Sequence, residues 1–161
     1  MQKTKKAPQG HSLHSAFTMI ELVFVIVVLG ILAAIAVPKF AATRTDAQIS
    51  KGRADIASIR SAIITDRQAH IIQGDQNYIS GLSQNSTKLF DGNGTAGREL
   101  LMYGVSSGTT DGHWSTTDAA APYIHYVYKI GGKSCNFTYN PATGKFDLNA
   151  SQDALCNQLV N

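Results

Sequence analysis

Residues 17–37 read FTMIELVFVIVVLGILAAIAV. As a helix, residues 19–37 would rise roughly 28 Å at about 1.5 Å per residue, close to the ~30 Å thickness of a bilayer's hydrocarbon core. The run is long enough to span a membrane. The competing reading is a buried core helix, for which a small domain offers little room in a chain of 161 residues. One acid, Glu21, interrupts the run near its start. A charge at the middle of a bilayer costs at least ~2.5–3.5 kcal/mol and usually marks function. In the first turn of a helix, however, an acid also suits the dipole and can snorkel to the interface. The residues alone leave both accounts of Glu21 open.

Upstream, residues 1–16 (MQKTKKAPQGHSLHSA) are polar and basic with no acid. Basic residues before an apolar run favour keeping that end in the cytoplasm. An ordinary secretory signal is cut after its apolar region. Here the small residue, Ala16, comes before it, and a cut there would leave the apolar segment as the new N-terminus. Lys3, Lys5 and Lys6 supply the whole formal charge of +3, because 11 Lys+Arg face 11 Asp+Glu from Phe17 onward. Formal neutrality after the leader weakens the case for electrostatic nucleic-acid binding, which needs a basic face, and leaves a local basic patch as its remaining route.

Downstream, Gly30 weakens a helix by ~1 kcal/mol relative to Ala, and Pro38 is expected to kink it. Ile49, Ile56 and Ile63 then recur every seven residues, with Ile59 and Ala62 close to the same face. Lys51, Arg53, Asp55, Arg60, Asp66 and Arg67 are expected to form the solvated remainder. Gly74 is a stop signal, followed by turn-forming Asp75 and Asn77. One helix over residues 17–73 would be roughly 85 Å long.

Residues 77–118 are rich in Gly, Ser, Thr and Asn and read as loop, with 99–105 as a short helix or strand. Residues 123–130 (YIHYVYKI) read as a strand, Gly131-Gly132 as a two-residue turn and 134–139 as a second strand. Residues 140–144 turn into a third at 145–148. The expected fold is α+β: a long N-terminal helix, apolar over 17–38 and amphipathic over 39–74, packed on a small antiparallel sheet within 75–161. The two cysteines, Cys135 and Cys156, read as a disulfide in an exported domain and as reduced thiols in the cytosol. Neither belongs to a CxxC motif, which argues against zinc and thioredoxin-like chemistry.

Ala16-Phe17-Thr18-Met19-Ile20-Glu21 and the apolar run after it resemble the type III signal of type IV pilins and type II secretion pseudopilins. Gly30 and Pro38 match helix-weakening positions of many members, and 51–63 (KGRADIASIRSAI) resembles major secretion pseudopilins. The resemblance covers residues 16 to about 65; Ala16 departs from it, since most members have Gly there. It implies cleavage of the 1–16 leader between Ala16 and Phe17 by a prepilin peptidase, with N-methylation of Phe17. It also implies a structural subunit held in the bacterial inner membrane, its C-terminal domain outside the cytoplasm. From there the subunit would join a pilus or periplasmic pseudopilus through an assembly platform, packing against itself and other pilin-like subunits. Glu21 would then pair with the terminal amine of a neighbour, so that only the correct axial stagger satisfies both charges. The stretch between Gly30 and Pro38 would partly melt on assembly. Many type IV pilins carry a C-terminal disulfide loop, which typical major pseudopilins lack. A Cys135–Cys156 bond would close about 20 residues and stabilise by roughly 3 kcal/mol.

Other candidates are weaker. Asp91-Gly92-Asn93-Gly94-Thr95 begins like a calcium loop, but Met102 stands where the bidentate acid belongs. Calcium binding by major pseudopilins makes Asp111 and Asp118 a second candidate, and a turn is the plainer reading of both. Asn93 and Asn149 lie in Asp-x-Asn-x-Thr/Ser patterns that fit an acidic extended glycosylation sequon. His11, His14, His70, His113 and His125 show no metal-ligand spacing. No nucleophile–base set, phosphate loop or redox motif points to an enzyme or to a cofactor. A competence-type subunit that captures DNA is the alternative, with Lys129, Lys133 and Lys145 as its candidate contacts.

Overall fold

A computed structural model describes residues 17–150 and 153–161, and of Ala41 and Ala42 the helical backbone alone. The 1–16 leader with Ala16, His11 and His14, and Ser151 of the second sequon, lie outside the described residues. The order of elements is α1 (Met19–Ile72), β1 (Lys88–Leu89), β2 (Val105–Ser106), β3 (Trp114–Thr116), β4 (His125–Ile130), β5 (Lys133–Asn140), β6 (Lys145–Leu148) and α2 (Ala154–Asn157). The layout is α+β, as expected: one long helix with an apolar N-terminal half, and small antiparallel sheets packed on the half that follows. The chain divides into two units, one ending at Phe40 and one spanning Ala41–Asn161.

In the second unit, Ile49, Ile56, Ile59 and Ile63 are all buried, so the seven-residue recurrence marks the packed face of α1. They join one core with the inner faces of the sheet strands. That sheet is an antiparallel meander in the order β3-β4-β5-β6. Gly131 and Gly132, both at positive φ, make the two-residue β4–β5 turn, a conformation glycine adopts without steric cost. Gly52 has a different use. A Cβ there would lie 2.8 Å from both Leu159 Cδ2 and Tyr128 Cε1, so its missing side chain lets α1 close onto the sheet and the C-terminal tail. A disulfide joins Cys135 of β5 to Cys156 of α2 and fixes that tail against the core.

Phe90, Trp114, Tyr126, Tyr128, Phe137 and Phe146 form a continuous aromatic layer, with ring centroids between 4.6 and 6.0 Å apart. Their polar ends find partners, as buried aromatic handles must. Trp114 Nε1 donates to Asp55 Oδ2 at 3.0 Å, and the Tyr128 hydroxyl donates to the Gln48 carbonyl at 2.7 Å. Phe90 holds φ 61, a left-handed conformation rare for a bulky residue. Its full burial in this layer, and a hydrogen bond from its N–H to Ser83 Oγ at 3.0 Å, hold it there.

Four expectations need correction. The 77–118 segment is not all loop: it supplies β1 and β2, which pair with each other, and β3, an edge of the main sheet. Strands of two or three residues carry no alternation, and partners as distant as Lys88 and Ser106 leave no local trace. Within 99–105 only Val105 enters a strand, and the strand expected from residue 123 begins at His125. Asp66 and Arg67 do not belong to a solvated face. Asp66 is buried beside Arg98, and Arg67 lies over the Tyr78 ring at 4.1 Å and donates to its hydroxyl.

Replacing Gly52 with Val should destabilise the protein by about 1–3 kcal/mol through overpacking. A lower urea midpoint followed by Trp114 fluorescence, with the slope unchanged, is the expected reading.

Candidate functional site

Thr18 starts α1. The Glu21 N–H donates to Thr18 Oγ1 at 3.2 Å, and the Glu21 and Leu22 N–H groups both reach the Thr18 carbonyl at 3.1 Å. Thr18 is thus the N-cap and Glu21 the third helical residue, a T-x-x-E capping signature. The carboxylate lies in the first turn, where unpaired N–H groups and the helix dipole favour negative charge.

Beyond the cap, the apolar side chains stay bare: Phe17 is 79%, Phe24 67% and Phe40 74% exposed. The helix is long and apolar enough to cross a membrane, and none of its apolar window is buried by the described residues. Water-exposed apolar patches on monomers rarely exceed a few hundred Å². Among the described residues nothing covers this surface, whose apolarity suits a membrane span. Helical structure continues through Pro38, and a Cβ on Gly30 would meet nothing within 4 Å. Gly30 therefore serves no close approach among the described residues.

The calcium candidates come apart. Asp111 accepts the Gly132 N–H with both oxygens at 3.1 Å, beyond one end of β4. Asp118 Oδ2 accepts the Ile124 and His125 N–H groups at 2.7 and 2.8 Å, and its Oδ1 lies 2.7 Å from His125 Nδ1, at the other end. A strand of this length separates the two carboxylates by roughly 17–20 Å. Asn93 forms a local turn, its Oδ1 accepting the Thr95 N–H at 3.0 Å, whereas Asp91 Oδ1 accepts the Gln84 N–H across the loop at 3.1 Å. Among the described residues no group of three or more His, Cys, Asp or Glu is placed to hold a metal.

The lysine patch is also divided. Lys129 and Lys133 flank the β4–β5 turn, and Lys133 pairs with Asp153 at 3.2 Å. Lys145 is opposite Asn140, at the far end of β5, roughly 24 Å away at about 3.4 Å per residue. Of the sequon asparagines, Asn149 is exposed at the end of β6 and accepts from Thr138 Oγ1, whereas Asn93 is half-buried and donates to Ser80 Oγ.

Sequence reading missed a buried ion cluster. Arg98, 7% exposed, reaches Asp66 Oδ2 at 3.3 Å and also pairs with Asp75. Asp66 Oδ1 lies 3.4 Å from His70 Nδ1 without a hydrogen bond. Burial pushes the Asp66 carboxyl up, against the pull of Arg98 and His70. The cluster ties the end of α1 to the loop after it. Its signal in the sequence was faint: an acid directly following the apolar stripe, and an arginine in a glycine-rich segment.

At Asp118, burial works against the charge, but the His125 and Ile124 N–H groups and the His125 ring outweigh it and hold the carboxyl below its ordinary range. A depressed folded-state pKa adds stability above the unfolded value, and that stability is lost as pH falls through the folded one. Asp118→Asn should cost about 1.5–3 kcal/mol at pH 7. The gap to wild type should narrow toward pH 2, as measured by urea unfolding at both pH values.

No family model and no solved structure matches the chain. It is similar to the type IV major fimbrial protein FimA of Dichelobacter nodosus, 34% identical over 88 residues. The match takes in 55% of this chain and 54% of that protein, so the chain spans about half the length of its curated relative.

Proposed function

We propose that this chain is a pilin-like structural subunit of a type IV-type pilus or a secretion pseudopilus. The observation that carries it is the bare apolar helix from Phe17 to Phe40, capped by Thr18 and opened by one acid. Similarity to a fimbrial protein supports the same reading. Cover for that helix comes from lipid before assembly and from neighbouring copies within the filament. A surface this apolar exchanges the two at little cost, because lipid tails and packed helices are alike as solvents.

In this reading a prepilin peptidase cuts between Ala16 and Phe17, and the new Phe17 amine is methylated. Capping holds Glu21 at the helix start, where the amine of an adjoining copy can meet its carboxylate. The pairing removes much of the desolvation penalty of each charge and sets the stagger between copies. The weak point between Gly30 and Pro38 loosens on assembly. Before joining the filament at its assembly platform, the subunit sits in the inner membrane with the 41–161 unit outside the cytoplasm. The Cys135–Cys156 disulfide suits that oxidising side. A non-catalytic role follows from the same reading. Capture of DNA gains no support from the divided lysines.

Intact mass of the mature subunit should correspond to residues 17–161 plus one methyl group and two hydrogens fewer for the disulfide. A mass retaining residues 1–16, or a cut after the apolar run, contradicts the processing. Glu21→Ala should leave membrane recovery unchanged and lower sheared filament yield at least tenfold. Normal filaments from that variant would remove Glu21 from assembly.

A further inference from the structure

We propose that a groove of about 740 Å³ beside the β4–β5 turn binds a phosphate group, carried by an anionic phospholipid headgroup or by a soluble phosphate ester. Arg44 and Gln48 of α1 form one wall, and Lys129 of β4 with Thr109, Thr110 and His113 the other. The tertiary fold brings the two cations into one depression from positions far apart in the chain.

Both cations are unpartnered, as Lys88 and Lys145 also are among the described residues, but only Arg44 and Lys129 share this groove. Lys51, Arg60, Arg98 and Lys133 hold ion pairs, and Arg53 and Arg67 hydrogen-bond to the Gln158 carbonyl and the Tyr78 hydroxyl. Among the described residues, Arg44 and Lys129 make no ion pair or side-chain hydrogen bond, and neither does the Gln48 amide. The one acid on the groove, Asp111, is engaged with the Gly132 N–H rather than with either cation. What remains is a planar guanidinium fork, a point ammonium charge and the Gln48 amide, while Thr110 Oγ1 and His113 Nδ1 are engaged with each other at 3.0 Å. That donor set matches phosphate, whose oxygens take a bidentate arginine and a lysine together.

The headgroup source rests on the membrane reading given above. Arg44 follows Val37 by seven residues, a span of at most roughly 25 Å even when fully extended. In that reading the groove is within chain reach of the non-cytoplasmic bilayer face, where the phosphate of an anionic phospholipid can meet its cations.

The test uses the full chain, first in zwitterionic detergent with inorganic phosphate as probe, read by the amide shifts of Gly112, His113 and Gly132. Saturable shifts that equal ionic strength in chloride does not reproduce are expected. Arg44→Gln combined with Lys129→Gln should weaken binding at least fivefold, while Lys88→Gln and Lys145→Gln leave it unchanged. Nanodiscs of phosphatidylcholine with or without phosphatidylglycerol then separate the sources. Shifts induced by phosphatidylglycerol and lost in the double variant identify the headgroup; shifts with phosphate alone identify a soluble ester. No saturable shift with either probe, or equal shifts in the double variant, overturns the site. The phosphate arm needs no filament or membrane. A chain that answers phosphate but never enters a bilayer would overturn the proposed function and leave the groove standing.

Discussion

The second unit depends on one interface: the isoleucine face of α1 against the aromatic layer of β3–β6, closed at Gly52. That glycine allows Tyr128 and Leu159 to reach the helix backbone, and the Tyr128 hydroxyl then finds the Gln48 carbonyl. Trp114 fills the centre and turns its N–H to Asp55. A small sheet has too little area to be stable on its own. The helix supplies the missing half of the core, and the disulfide holds the C-terminal tail where Leu159 can complete it.

The same helix carries two faces that solve the same problem differently. From Ile49 to Ile63 the apolar stripe is narrow and covered by the chain's own strands. From Phe17 to Phe40 the apolar surface runs all round, and nothing among the described residues covers it. A helix apolar on every side suits a membrane span or the core of a large assembly. Polar work is kept to the seams, at the Thr18 cap, the Arg98 cluster and the Asp118 knot. At each, a carboxylate or hydroxyl takes up backbone N–H groups or a cation that would otherwise be left bare.

Much of this was legible in residue order. The apolar run, the isoleucine stripe, the stop at Gly74 and the hairpin at Gly131-Gly132 all rest on interactions within a few residues, and they appear where those local rules put them. The Thr18 cap was equally local. Its T-x-x-E spacing sets the threonine hydroxyl against the N–H of the third helical residue. Strand β3 was illegible because three residues amid glycine and serine show no period, and only the pairing of Trp114 with Tyr128 makes them a strand.

The sequence by itself determined that this chain has an N-terminal helix too apolar for water, an acid at its start and a small α+β domain behind it. Periodicity, length and transfer energy are properties of the chain alone, so they can be read without a fold. Tertiary structure decided the rest: that Asp66 is buried with Arg98, that Asp111 and Asp118 lie at opposite ends of β4, and that Arg44 and Lys129 share a groove. Those outcomes depend on which distant segments meet. Burial and electrostatics act through space, where neighbours in the fold need not be neighbours in the chain.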